Sequence, residues 1–121
     1  MKPPECHYEK TEMDLAKAGE IDVGFEDHGF FTLFGGMNYD CGSQGFGWII
    51  DLTFIKRFIK VFGVHQLQNS NGKLCWVEHS NQKIFRLIPL GFDGDECKEF
   101  DIEDWSQQKR KESEKRAKRK S

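Results

Sequence analysis

Long hydrophobic runs are missing from this chain. No apolar stretch approaches the roughly 20 residues that cross a bilayer as a helix, and no charged start leads into an apolar segment, so neither a helical membrane span nor a secretory signal is expected. The four cysteines, Cys6, Cys41, Cys75 and Cys97, are widely separated and include no Cys-x-x-Cys pair. Free thiols in a reducing cytoplasm are the expected state. Hydrophobic residues are scarce overall (37%, mean hydropathy −0.67). They concentrate between residues 21 and 90, a segment that buries only a modest core alone and gains from association with a second copy.

A strong charge of one sign is also lacking, but the net −2 conceals an asymmetry. From Gln107 onward eight cations stand against two glutamates, leaving +6, so residues 1–106 carry −8. The acidic residues are densest just before the basic run: Asp93, Asp95, Glu96, Glu99, Asp101, Glu103 and Asp104. Such adjacent blocks are self-complementary or simply solvated.

Four segments follow from this distribution. Residues 1–12, with Pro3-Pro4, are expected to be a disordered start, in which Cys6-His7 is too small a ligand set to hold a metal. Residues 13–91 form the folded domain, 92–106 an acidic arm that folds back onto the domain or a neighbouring subunit through Phe92, Phe100, Ile102 and Trp105, and 107–121 a basic tail that is frayed helix or disorder. Within the domain, Ile21, Val23 and Phe25 alternate with Asp22 and Gly24 as in a half-buried strand. Residues 26–29 suit a hairpin loop, and 30–39 read as a central strand in which Gly35-Gly36 marks a bulge or a close backbone contact.

Three glycines between Cys41 and Trp48 then suggest a loop leading to a short strand. Phe54, Ile55, Phe58, Ile59 and Phe62 make one helical stripe, with Asp51 or Thr53 available as N-cap and Gly63 at the C′ position. Residues 73–79 and 83–90 read as a hairpin across Ser80-Asn81-Gln82, with Pro89 at its end. The predicted fold is α+β: a mostly antiparallel sheet of four to five strands, one amphipathic helix on one face, and a polar C-terminal tail.

His28-Gly29-Phe30-Phe31-Thr32, Gly42-Ser43-Gln44-Gly45-Phe46-Gly47, Phe54-Ile55-Lys56-Arg57-Phe58 and Asn71-Gly72-Lys73 together resemble a family of small phage and prophage proteins of unassigned function. That family carries a Gly-x-Gly-Gln-Gly-Phe-Gly-Gly loop. The chain departs from the pattern at Cys41-Gly42-Ser43 and at Trp48, which stands in place of a glycine. The resemblance implies a phage or mobile-element origin and a host-cytoplasmic setting, and brings no reaction with it.

No catalytic constellation emerges. Cys41 or Cys75 with His28, His65 or His79 matches no cysteine-hydrolase signature, and Cys75 between Leu74 and Trp76 reads as a small buried group. The glycine segment lacks the lysine of a P-loop and does not open onto a helix.

Binding without cofactor or metal is therefore expected, in an accessory protein that forms a homo-oligomer. Three modes stand open. A host macromolecule would be engaged or inhibited through Asp93, Asp95, Glu96 and Glu99. A nucleotide-like ligand would be sequestered by Gln44, Gly45, Phe46, Trp48, Arg57 and Arg86, with glycine N–H groups as an anion nest. Weak, non-specific contact with nucleic acid would use Lys109, Arg110, Lys111, Lys115 and Arg116, against the repulsion of an acidic body.

Overall fold

The computed structural model describes residues 3–25, 29–40, 42–91 and 99–119. Its elements are β1 (Glu12–Phe25), β2 (Phe31–Tyr39), β3 (Gly42–Ile49), α1 (Leu52–Phe62), a 3₁₀ turn (Leu67–Ser70), β4 (Leu74–His79), β5 (Ile84–Ile88), β6 (Phe100–Asp101) and α2 (Ile102–Arg119). The class is α+β as expected, with six strands and two α-helices among the described residues rather than four to five strands and one helix. Every pairing is antiparallel, in the order β3-β2-β1-β4-β5-β6.

The long strand β1 organises the sheet. Its first half pairs with β4 and its second half with β2, and Lys17 lies opposite both Leu74 and Asn38. The register shifts between Gly19 and Asp22, where Glu20 takes the left-handed φ of 55°. This bulge turns Ile21 inward over Gly35: a Cβ there would stand 2.5 Å from Ile21 Cδ1 and 2.9 Å from Phe46 Cζ. A larger residue would have to displace both side chains, so the expected close contact at Gly35 is met while the bulge itself sits on the neighbouring strand.

Both helices lie on one face. Phe54, Phe58 and Val61 of α1 join Leu33, Met37, Cys75, Val77 and Leu87 of the sheet in one core, with Phe100 and Ile102 closing it at the β6 edge. Trp105 of α2 meets the Phe54 ring edge-on at 5.1 Å. The acidic arm therefore does fold back on the domain through Phe100, Ile102 and Trp105, while Phe92 lies outside the described residues. The tail expected to fray continues α2, which runs to Arg119.

The start of α1 is held from two directions. A carboxylate oxygen of Asp51 accepts from the Phe54 N–H at 2.9 Å, and Lys109 of α2 reaches the same carboxylate at 3.1 Å. Burial alone raises the Asp51 pKa, but the Phe54 N–H and Lys109 outweigh it and hold the carboxyl below its usual range. At the other end Gly63 adopts φ 67°, and its N–H bonds the Lys60 carbonyl. Asp51→Ala is expected to lower stability by about 1 kcal/mol, read as a lower urea midpoint at unchanged slope.

Candidate functional site

The most heavily bonded polar group in the sheet is a structural one. Glu78 and Arg86 lie opposite each other on β4 and β5, 0% and 1% exposed, on the face away from the helices. Arg86 Nε donates to Glu78 at 2.6 Å, its Nη2 donates to the Glu5 carbonyl at 2.8 Å, and its Nη1 pairs with Glu99. Glu78 also accepts from the backbone N–H groups of His7 and Tyr8 and from the Thr11 hydroxyl. Burial alone would raise its pKa, but the His7 N–H, Thr11, the Tyr8 N–H and Arg86 together hold it below the usual carboxylate range.

These contacts fasten residues 5–11 across the sheet, so the start is anchored rather than disordered as far as it is described. The Tyr8 hydroxyl donates to Asp101 at 2.7 Å; burial first, and then that carboxylate, push its pKa up. With its donors and acceptors already matched, the network holds the fold together and offers no open position to a ligand.

Arg86 is thus removed from any ligand site. Of the other residues expected to bind a small ligand, Gln44, Gly45, Phe46 and Trp48 stay together on β3, whereas Arg57 lies elsewhere. Gln44 accepts from the Tyr39 hydroxyl at 2.8 Å and donates to the Ser80 carbonyl at 3.0 Å, tying β3 to the β4–β5 turn. Phe46 stacks on Trp48 at 4.1 Å and lies against Phe58. Gly45 is exposed within β3. Arg57 lies over the Phe100 ring at 4.5 Å, beside a hollow of about 240 Å³ lined by His7, Glu99 and Asp101. The glycine segment is a strand paired residue for residue with β2 from Gly42 to Ile49, not a loop cradling an anion.

Of the acidic residues expected to meet a partner, Glu99 is engaged by Arg86, and Asp93, Asp95 and Glu96 lie outside the described residues.

What the fold does assemble is a cleft of about 930 Å³ between the end of β3 and α2. Trp48, Ile50 and Phe54 line its core side, Trp105 its helical wall, and Phe30 and Ile49 its mouth. Two apolar side chains of the lining face water, Phe30 at 53% and Ile49 at 59% exposed. Lys109, Arg110 and Glu112 of α2 form the polar rim. Of the basic residues read as nucleic-acid contacts, Lys109 and Arg110 therefore border an apolar cleft. Lys111 is exposed farther along the helix, and Lys115 and Arg116 continue α2. The sequence names Trp48 only as a candidate ligand contact and Trp105 as an anchor of the arm, which it is. Their juxtaposition is not legible there, because it depends on where α2 runs.

A second cluster was missed as well. Glu12 and Asp14 on one face of β1 meet His79 of β4, with one ligand atom from each lying within 4.8 Å of the others. His79 Nε2 and Asp14 Oδ2 are 2.8 Å apart, and the His79 ring stacks on Tyr39 at 4.2 Å. The Glu12-x-Asp14 spacing on a strand was the available signal. The histidine and Asp14 already lie within hydrogen-bonding distance of each other, and the cluster carries no further reading.

Cys75 is fully buried, and burial pushes its thiol pKa up to about 12. It is a protonated core group at neutral pH, which removes it as a nucleophile. A thiol reagent applied to the native protein is expected to leave Cys75 unmodified and to label it only on unfolding, as peptide mapping reads directly.

No family model, curated protein or solved structure matches this chain.

Proposed function

We propose that this protein works by binding a macromolecular partner, and that the contact is the cleft between β3 and α2. Its occupant is a protein segment that carries an apolar or aromatic side chain next to acidic residues. The observation that carries this reading is the exposed pair Phe30 and Ile49 at an aromatic-lined cleft. Large apolar side chains grouped beside a concavity mark interaction sites, whereas scattered single ones do not.

The acidic flank follows from charge. The cleft's helical wall is where the chain turns from an acidic body to the +6 basic run. Lys109 is shared between Asp51 and Glu112 and lies over the Trp105 ring, while Arg110 is exposed at the rim. Opposite charge at such a rim steers encounter and selects partners.

A stacked nucleotide base fits less well, because Phe46 covers one face of Trp48 and Lys109 lies over the ring of Trp105. The phage-type setting in which the protein would inhibit a host component remains the biological frame suggested by the Gln44–Gly47 resemblance.

The test is a peptide-display selection on the folded protein, followed by calorimetry with the enriched peptide. The expected consensus pairs an aromatic or large aliphatic residue with aspartate or glutamate. Trp105→Ala is expected to weaken the peptide by at least 2 kcal/mol, on the order of 30-fold. Arg110→Glu and Phe30→Ser, both at exposed positions, should also weaken it while leaving the fold intact. A basic consensus, binding indifferent to these variants, or preferential binding of nucleotides would overturn the reading.

A further inference from the structure

The two edges of the sheet are unlike. One ends in β6, two residues long and carrying Asp101. The other is β3, eight residues from Gly42 to Ile49 with no charged side chain and no proline. Natural sheets guard exposed edges with short strands, charge, proline or bulges, and β3 has none of these. Among the described residues no strand pairs beyond it.

The phase of its hydrogen bonding is defined. The Ile50 N–H donates to the Phe31 carbonyl at 3.0 Å, and the register runs without a shift from that pair back to Gly42 opposite Tyr39. Backbone groups of an antiparallel strand point alternately to its two neighbours. Gln44, Phe46 and Trp48 therefore bond β2, and the N–H and C=O groups of Ser43, Gly45, Gly47 and Ile49 point to the free edge.

We infer that this edge pairs with β3 of a second copy, antiparallel about a twofold axis at Phe46, and that the second copy completes the cleft. In this register Ser43 lies opposite Ile49 of the second copy and Gly45 opposite Gly47, so all four outward residues find partners by symmetry. The outer side meets almost without side chains at the two glycine pairs. On the helix side Phe46 faces its own counterpart, and Gln44 faces Trp48, in the closer non-hydrogen-bonded pairs.

The stacked rings of Phe46 and Trp48 on this edge strand are only half buried. The matching rings of a second copy cover their exposed surface. An uncharged strand lets two copies approach without repulsion along the seam, and Gly45 and Gly47, symmetric about Phe46, let the two backbones meet without side-chain conflict on the outer side, which favours a second copy over a foreign strand.

Trp48 and Ile49 line the cleft. Gln44 and Ser43 of the second copy consequently stand against its β3 wall, and each dimer presents two composite sites. That last step rests on the cleft reading, whereas the pairing of the strands does not.

The test uses the full chain in light scattering across a concentration series, with amide hydrogen exchange followed by NMR. The wild type is expected at twice 14.1 kDa, with the amides of Ser43, Gly45, Gly47 and Ile49 protected. Gly45→Pro removes only an N–H that faces the edge, and the added Cβ meets nothing closer than the Gly35 carbonyl at 3.9 Å. It should be a folded monomer in which the other three amides exchange quickly, while Gly45→Ala, which keeps the N–H, should remain dimeric. Ser43→Pro makes the same change one pair along and serves if Gly45→Pro misfolds.

A monomeric wild type with fast exchange at the four amides overturns the inference, as does a dimer that persists in a folded proline variant. Peptide binding scored with Arg110→Glu reports on the cleft separately, so failure of the pairing and failure of the cleft are told apart.

Discussion

Replacing Arg86 by methionine is expected to cost about 3–5 kcal/mol, a large part of the stability of an ordinary domain. The cost arises less from the lost attraction than from what stays behind. Glu78, 0% exposed, would keep its negative charge in the sheet without the guanidinium, and Glu99 and the Glu5 carbonyl would lose their donor. Glu78→Gln should cost less, since Arg86 retains Glu99 and the amide oxygen can still accept from His7 and Tyr8.

The two changes also differ in pH dependence. Glu78 has a lower pKa folded than unfolded, so on acidification the unfolded state takes up the proton first. Its contribution is therefore full above the ordinary carboxylate pKa near 4.5 and fades as pH falls through the lower folded value. Denaturant unfolding from pH 7 down to pH 3 should show a shallower acid loss in Glu78→Gln than in the wild type. An equally steep loss would place the acid sensitivity in other carboxylates.

Phe54→Ala is expected to lose a similar 3–5 kcal/mol. The ring is 1% exposed and sits between elements distant in sequence: edge-on to Phe100 at 4.7 Å and to Trp105 at 5.1 Å, and tilted against Trp48 at 5.6 Å. Truncation removes the surface on which the first turn of α2 rests, and with it the floor of the cleft. Phe54→Leu, which retains most of the volume, should cost about 1–2 kcal/mol. Urea unfolding measures both. Near-UV dichroism should show the loss of tryptophan asymmetry in the alanine variant even under conditions where it remains folded.

The elements that sequence showed clearly are those whose signals are local. Asp51, the phenylalanine stripe and Gly63 mark α1 from cap to cap, and all three act as their chemistry suggests. The β4–β5 hairpin and the buried Cys75 were equally legible. Glycine misleads at β3, because its poor strand propensity reads as loop, whereas Gly36 lies opposite Gly45 and Phe34 lies over Gly47 in a regular ladder.

The remaining misses share a non-local cause. Residues 7 and 8 are held through backbone N–H groups, which leave no trace in side-chain pattern. Arg86 reads as a ligand contact and Glu78 carries no signal until the register places them opposite each other beneath residues 5–11. α2 has no apolar stripe beyond Ile102 and Trp105, so nothing in its composition announced that it would form one wall of a cleft.

The most direct test of binding at that cleft is a ¹⁵N spectrum of the protein titrated with the display-selected peptide, read at the tryptophan indoles. Trp48 and Trp105 line the cleft, whereas Trp76 lies beside Leu15 in the middle of the sheet and outside it. The account predicts saturable shifts of the Trp48 and Trp105 indole signals with Trp76 unmoved, and their loss in Arg110→Glu. Shifts centred on Trp76, with Trp48 and Trp105 unchanged, would contradict it and move the contact to the opposite face of the sheet.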